Sequence, residues 1–240
     1  LHRTLLTAGI GESFLAEHIQ HWESELPVSI KLAYLPNYGM VRLRLTGSGN
    51  DRNTLQNELT KQFEALKKLV AEWLVTDEDQ TIPQVIGSML KARKKTVGTA
   101  ESCTGGYIAH LLTREAGASE HYNGTVVSYS NTAKKDLLQV QEEILQEQGA
   151  VSEQTVIGMV KGAIKALKTD YAIATSGIMG PDGGSALKPV GTVWIAAGDR
   201  KNIITQQFHF RYDRLRNIEM TASNALNLLR KFILAQETAI

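Results

Sequence analysis

Apolar residues recur along this chain with two different periods, and the switches between the periods divide it into elements. Residues 13–26 place Leu15, Ile19, Trp22 and Leu26 on one face, which predicts an amphipathic helix ended by Pro27. Residues 28–35 alternate Val28, Ile30, Leu32 and Tyr34 against Ser29, Lys31 and Ala33. After the turn Pro36-Asn37-Tyr38-Gly39, residues 40–46 alternate Val41, Leu43 and Leu45 against Arg42 and Arg44. This is the pattern of a hairpin with one face in water. Gly47-Ser48-Gly49-Asn50-Asp51 breaks it, and residues 54–75 then carry Leu55, Leu59, Phe63, Leu66, Val70 and Trp73 along one helical stripe. Helix, hairpin and helix predict a small α+β domain.

The acidic stretch Asp77-Glu78-Asp79 places the domain boundary, giving a small α+β domain over 1–78 and a larger one over 79–240. In the second, Thr81 reads as an N-cap, Pro83 sits in the first turn, and Val85, Ile86, Met89 and Leu90 form an apolar helix face. Strands are predicted at 96–100, 124–130, 170–176, 191–197 and 202–210. Helices are predicted at 107–114, 131–138, 141–148, 152–168 and 216–234. Strands alternating with helices and closed by a hairpin define an α/β fold, a three-layer domain with a mixed sheet.

Composition narrows the function. A hydrophobic content of 42% with 21% charged residues is that of an ordinary globular protein. The 26 Lys+Arg against 25 Asp+Glu leave no basic field of the kind a nucleic-acid binder carries, so no nucleic-acid partner is expected. For the same reason Gly47-Ser48-Gly49-Asn50, similar to the loop with which KH domains clamp RNA, reads as a flexible connection, and Arg42 and Arg44 as a solvated strand face. The single cysteine, Cys103, excludes an intrachain disulfide and a thiolate zinc site. No run of about 18 apolar residues predicts a membrane span, and residues 1–5 lack the hydrophobic core of a secretory signal; a cytoplasmic location is expected. The first residue is Leu1 rather than methionine, so a fragment or processed product is expected.

Reactive groups gather where an α/β sheet collects its ligands, beyond the strand ends. Three segments supply them: Glu101-Ser102-Cys103-Thr104 with Gly105 and Gly106; the stretch Ser128-Tyr129-Ser130-Asn131 with Lys134; and the loop from Gly177 to Lys188. A strand–turn–helix with two glycines can bind a phosphate, hold an oxyanion or present a nucleophile. No histidine falls in any of the three, which disfavours a Ser-His-Asp triad, a histidine metal site and a Cys103 nucleophile. No G-x-x-x-x-G-K-[ST] run supports phosphoryl transfer. What remains able to activate a hydroxyl is a lysine with a depressed pKa, and Lys134 stands one helical turn past an apolar strand. Taken singly, Lys134 reads as a surface lysine, Tyr129 as a core aromatic with its hydroxyl at the rim, Cys103 as a small buried residue and Ser102 as a helix cap.

Four ordered motifs make these residues more than a set of single readings. Ala100-Glu-Ser-Cys-Thr-Gly-Gly106, Tyr129-Ser-Asn-Thr-Ala-Lys134, Ser176-Gly-Ile-Met-Gly-Pro-Asp-Gly-Gly184 and Lys188-Pro-Val-Gly-Thr-Val193 together resemble the CinA C-terminal domain, the PncC-type nicotinamide mononucleotide (NMN) amidohydrolase family. The resemblance covers roughly residues 82–234. Thr7-Ala-Gly-Ile-Gly-Glu-Ser13 and the unit after it resemble the KH-like middle region of CinA proteins; their first domain has no counterpart here, so no pyrophosphatase chemistry is carried over. The resemblance implies hydrolysis of the NMN carboxamide to nicotinic acid mononucleotide and ammonia, with no cofactor or metal required, by a homodimer. It assigns the nucleophile to Ser102, and the base and its relay to Lys134 and Tyr129. Substrate binding is then expected of Glu101, Cys103, Thr104, Gly105, Gly106, Asn131, Gly177, Gly180, Gly183, Gly184 and Lys188. Met179 departs from the family's usual alanine. The alternative is a non-catalytic nucleotide-binding module, in line with the family's link to competence and DNA damage.

Overall fold

The structure is a computed structural model and describes residues 1–238. It divides into two compact units, Leu1–Val85 and the chain from Ile86 onward.

The first unit contains strand β1 (His2–Ala8), helix α1 (Glu12–Ser24), strands β2 (Ile30–Asn37) and β3 (Met40–Gly47), helix α2 (Arg52–Leu69) and the short strand β4 (Leu74–Thr76). The strands form one antiparallel sheet in the order β2-β3-β1-β4. The hairpin expected from the alternation is present, turning through Tyr38 and Gly39, both at positive φ as a two-residue hairpin turn requires. Val41, Leu43 and Leu45 point into a core shared with Leu15, Ile19, Leu59, Phe63 and Leu66 of the helices.

Two strands escape the periodicity. β1 lies inside the sheet with residues 4–8 all buried, so it has no polar face to show. The stripe expected to run as helix to residue 75 is helical only to Leu69. The chain turns at Val70–Trp73 (Trp73 N to Val70 O, 3.0 Å) and pairs as β4 with β1. Val70 and Trp73 pack into the same core from that turn, so they continue the apolar stripe without continuing the helix. The acidic stretch is tied back onto this unit. Lys67 holds Asp77 at 2.6 Å, and the Arg42 guanidinium, expected in solvent, binds the Asp79 carboxylate and the Gln80 carbonyl.

Helix α3 (Ile82–Arg93) leads into the second unit. It continues with β5 (Val97–Glu101), α4 (Tyr107–Thr113), β6 (Tyr122–Val127), α5 (Asn131–Leu138), α6 (Glu142–Glu147), α7 (Glu153–Leu167), β7 (Tyr171–Gly177), β8 (Thr192–Gly198), β9 (Ile203–His209) and α8 (Arg214–Thr238). The sheet order is β6-β5-β7-β8-β9, with β6, β5 and β7 parallel and β8 and β9 antiparallel, a mixed sheet as expected. Helix α7, with α5 and α6 against it, covers one face through Val156, Met159, Val160 and Ala163, which meet Ala100, Ala172, Ala174 and Ala196. Alanines on the strands let the helix approach closely. α4 and α8 pack on the other face.

The order β6-β5-β7 creates the site. The chain leaves β5 to one side through α4 and returns to its other side through α5–α7. The connections therefore part at the carboxyl ends of β5 and β7, the crevice where open α/β sheets bind ligands.

One close approach holds the return path. A Cβ on Gly162 of α7 would stand 2.0 Å from the Leu138 carbonyl oxygen at the end of α5. Gly162→Ala is therefore expected to lower stability by about 1–3 kcal/mol or more, as overpacking against backbone does. Urea unfolding checks this; an unchanged midpoint would mean the two helices separate freely.

Candidate active site

β5 ends at Glu101, and the next amide, Ser102 N, still donates to the Thr175 carbonyl of β7 at 3.0 Å. That bond fixes the start of the turn on the sheet. α4 then begins at Tyr107 after Gly105 and Gly106, whose φ values of +59° and +99° suit glycine. Gly106, at the N-cap, has no side chain to cap with. The cap is Glu101 instead. Its carboxylate accepts from the amides of Gly106 (3.0 Å), Ile108 (3.1 Å) and Ala109 (2.8 Å) and from the hydroxyls of Thr104 (2.7 Å) and Thr99 (3.2 Å).

On the far side, Ser130 caps α5, accepting from Ala133 N at 3.0 Å. Lys134, in the first turn of α5, points into the unit and is 1% exposed, so the reading of it as a surface lysine is corrected. Its Nζ lies 2.9 Å from Ser102 Oγ, 2.9 Å from the Ser128 carbonyl and 3.4 Å from the Tyr129 carbonyl. Two of these neighbours can only accept, whereas the third is a hydroxyl that can also donate. Nζ can donate to all three oxygens, and a neutral amine fits the same set by donating two hydrogens to the carbonyls and accepting the Ser102 hydroxyl hydrogen on its lone pair. Burial pushes the Lys134 pKa below the usual lysine range, in the direction that favours this form.

Ser102, Cys103, Tyr129, Lys134, Ala150, Val151, Ser176, Gly177, Met179 and Arg214 line a cavity of about 210 Å³ at the switch point. The expected residues Ser102, Cys103, Tyr129, Lys134 and Gly177 are thus brought together. Cys103 is buried and its thiol is pushed up to about 12, chiefly by desolvation, which removes the thiolate a cysteine nucleophile requires. The buried Met179 stands at the cavity wall and gives its carbonyl to Asn217 Nδ2 at 3.1 Å.

Other expectations are corrected. Tyr129 is 63% exposed rather than a core aromatic, because β6 ends at Val127 and the chain leaves the sheet there. Its hydroxyl accepts from Arg214 at 3.0 Å and makes no hydrogen bond to Ser102 or Lys134 among the described residues, so the expected relay is not formed there. Glu101 and Thr104 are buried supports with their oxygens committed to each other, to Thr175 and to α4, and lie outside the cavity lining. Gly105, Gly106 and Asn131 lie outside the cavity lining, as do Gly183 and Gly184, which are exposed. Gly180 acts through its carbonyl, which accepts from Arg214 at 2.8 Å. Lys188 gives its Nζ to the Gln148 carbonyl at 2.6 Å and does not reach the cavity. Ser102 is no helix cap.

Arg214 is the site residue that sequence reasoning missed. With α8 expected to start at Arg216, Arg214 read as loop. The signal was Asp213, whose carboxylate accepts from Arg216 N at 2.9 Å and so sets the helix start earlier. Among the described residues, no cluster of three or more His, Cys, Asp or Glu side chains is arranged to hold a metal ion, and no helix is long and apolar enough to cross a membrane.

Fold and site together define an α/β protein with a buried serine–lysine pair at the topological switch point of its sheet. Residues 79–233 match the CinA C-terminal domain, and residues 2–75 match the damage-inducible protein CinA KH domain. The chain belongs to the CinA family. It is 46% identical over 231 residues to a CinA-like protein of Cytophaga hutchinsonii, covering 96% of this chain and 55% of that one. A putative competence-damage inducible protein of Caldicellulosiruptor bescii is 37% identical over 232 residues, covering 97% and 56%. The chain thus spans about half the length of the curated relatives it matches. A competence/damage inducible protein of Agrobacterium tumefaciens superposes with a TM-score of 0.61 at 39% identity, covering 62% of this chain and 92% of the other. A CinA superfamily protein of Klebsiella pneumoniae gives 0.62 at 36% identity, covering 65% and 99%.

Proposed function

We propose that the second unit hydrolyses the carboxamide of NMN to nicotinic acid mononucleotide and ammonia. The observation that carries the reading is the 2.9 Å contact between Ser102 Oγ and the buried Lys134 Nζ. The neutral Lys134 amine takes the Ser102 proton as Oγ attacks the amide carbon. The tetrahedral intermediate collapses by expelling ammonia, to which the Lys134 ammonium returns the proton, and leaves an ester on Ser102. Water, deprotonated by Lys134, then cleaves the ester to the carboxylate and restores the serine. The base is Lys134, so the reaction needs no metal or cofactor.

The transient oxyanion needs donors. With the amides of Gly106, Ile108 and Ala109 given to Glu101, those of Cys103 and Thr104 donate to no oxygen among the described residues. They follow the nucleophile directly and are the turn's remaining candidates, each such donor contributing about 3 kcal/mol to the transition state. The cavity, about 210 Å³, suits a flat ring bearing a carboxamide rather than a whole nucleotide, which leaves ribose and phosphate at the mouth. There Arg214 is the cavity's only guanidinium among the described residues, and it offers a planar fork for a phosphate.

Ammonia release from NMN, measured beside nicotinamide riboside, tests this. Arg214→Ala is expected to raise KM for NMN by about tenfold or more, with a smaller change in kcat and little change for the riboside. Equal losses on both substrates would remove Arg214 from phosphate recognition. NMN bound tightly without ammonia release by the unaltered protein would leave only a nucleotide pocket.

A further inference from the structure

The most heavily committed side chain near the cavity is one that lies outside its lining. Glu101 is fully buried, and its carboxylate makes five hydrogen bonds, three to main-chain amides and two to hydroxyls. No lysine or arginine pairs with it among the described residues. The first-turn amides of α4 and the positive end of its dipole balance the charge instead. These are the groups a helix N-terminus would otherwise present to an anion. Glu101 turns them inward, so the Gly-Gly turn is no phosphate cradle.

The same carboxylate reaches across the turn. Thr104 Oγ1 binds Glu101 Oε2 at 2.7 Å and Thr175 Oγ1 at 2.8 Å, tying the turn to β7, while Ser102 N binds the Thr175 carbonyl. Residues 102–106 are therefore held at both ends by bonds that start from Glu101 or from its neighbour strand. In that conformation Ser102 Oγ meets Lys134 Nζ, and the amides of Cys103 and Thr104 are left over. We infer that Glu101 is the positioning residue of the hydrolytic site. It sets the geometry of the nucleophile and of the oxyanion donors without touching substrate. The inference rests on the serine–lysine hydrolase reading.

Glu101→Gln keeps the size but replaces one acceptor oxygen by an NH2 group that faces amide donors. A displacement of about 1 Å at a reacting centre lowers rate about 100-fold. The expected result is a kcat loss of that order, with KM changed less than about threefold and the midpoint of the pH–rate profile unmoved. A fluorophosphonate that labels Ser102 supplies a second readout, independent of the natural substrate; its labelling rate should fall in parallel with kcat. Thr104→Val, which removes the cross-tie and keeps the shape, should show a smaller loss of the same kind and decides the matter if Glu101→Gln does not fold. Labelling and turnover within about threefold of the unaltered protein in a folded variant would overturn the inference, and so would a shifted pH midpoint, the mark of a titrating catalytic group. Unaltered protein that is labelled at Ser102 yet leaves NMN intact would refute the substrate assignment, with labelling rates still judging Glu101. Absence of labelling in the unaltered protein would overturn both.

Discussion

Under the proposed hydrolysis, replacing Ser102 by alanine is expected to lower NMN turnover by about 10⁴-fold or more, because the proposed covalent route is lost whole rather than slowed. The buried side chain it leaves is smaller by one oxygen, and its amide still binds the Thr175 carbonyl, so the turn keeps its anchor on β7. KM is therefore expected to change little, and the thermal midpoint to stay within a few degrees. What remains is binding in the cavity and whatever donors survive, which explains why activity need not reach zero. Ammonia release under single-turnover conditions reads this directly. A variant within tenfold of the unaltered protein would mean that water attacks the amide without an ester on the chain, and the Ser102–Lys134 contact would be structural.

Lys134→Arg should be as damaging, although it keeps a positive charge. A guanidinium does not lose its proton in the working range, and its planar fork does not fit a pocket made by one hydroxyl and two carbonyls. The same reasoning gives the pH dependence a sign. Burial lowers the Lys134 pKa in the folded protein, and the proposed reaction uses the neutral amine, so kcat/KM should rise with pH and level off, with a midpoint below the usual lysine range. Stability follows the same group. Between the depressed folded pKa and the ordinary unfolded one, the unfolded chain binds the extra proton, so stability rises with pH across that window, by at most about 1.4 kcal/mol per pH unit. Below the window both states are protonated and the penalty of a buried charge is fully present. Urea titrations across the alkaline range check it, and Lys134→Met should remove this rise. An activity profile flat through that range would refute a titrating lysine base.

Much of this is legible in the sequence alone. Strands β2 and β3 showed their inward faces as Val41, Leu43 and Leu45 because one side of that hairpin meets the core and the other meets water. Amphipathic helices were legible for the same reason. β1 was not, because a strand buried on both sides carries no alternation, and β4 was hidden because Val70 and Trp73 extend a helical stripe from a turn. In the site, Ser102 and Lys134 stood in motifs whose residue types suit one chemistry, and the fold brought them into contact.

Elements with one wet and one dry face, the order of strands and helices, and the identity of the serine and lysine were written into the sequence itself, since each depends on local period or residue type. The direction of each side chain at the site was decided by tertiary structure. Glu101 reads as a ligand-binding acid until α4 brings three amides to it, and Tyr129 reads as core until β6 ends before it. Lys188 reads as a cation for the substrate until the Gln148 carbonyl takes it, and Arg214 reads as loop until it reaches Tyr129 across 85 positions of chain. Contacts between residues so far apart depend on how helices dock on the sheet, and no local pattern records that.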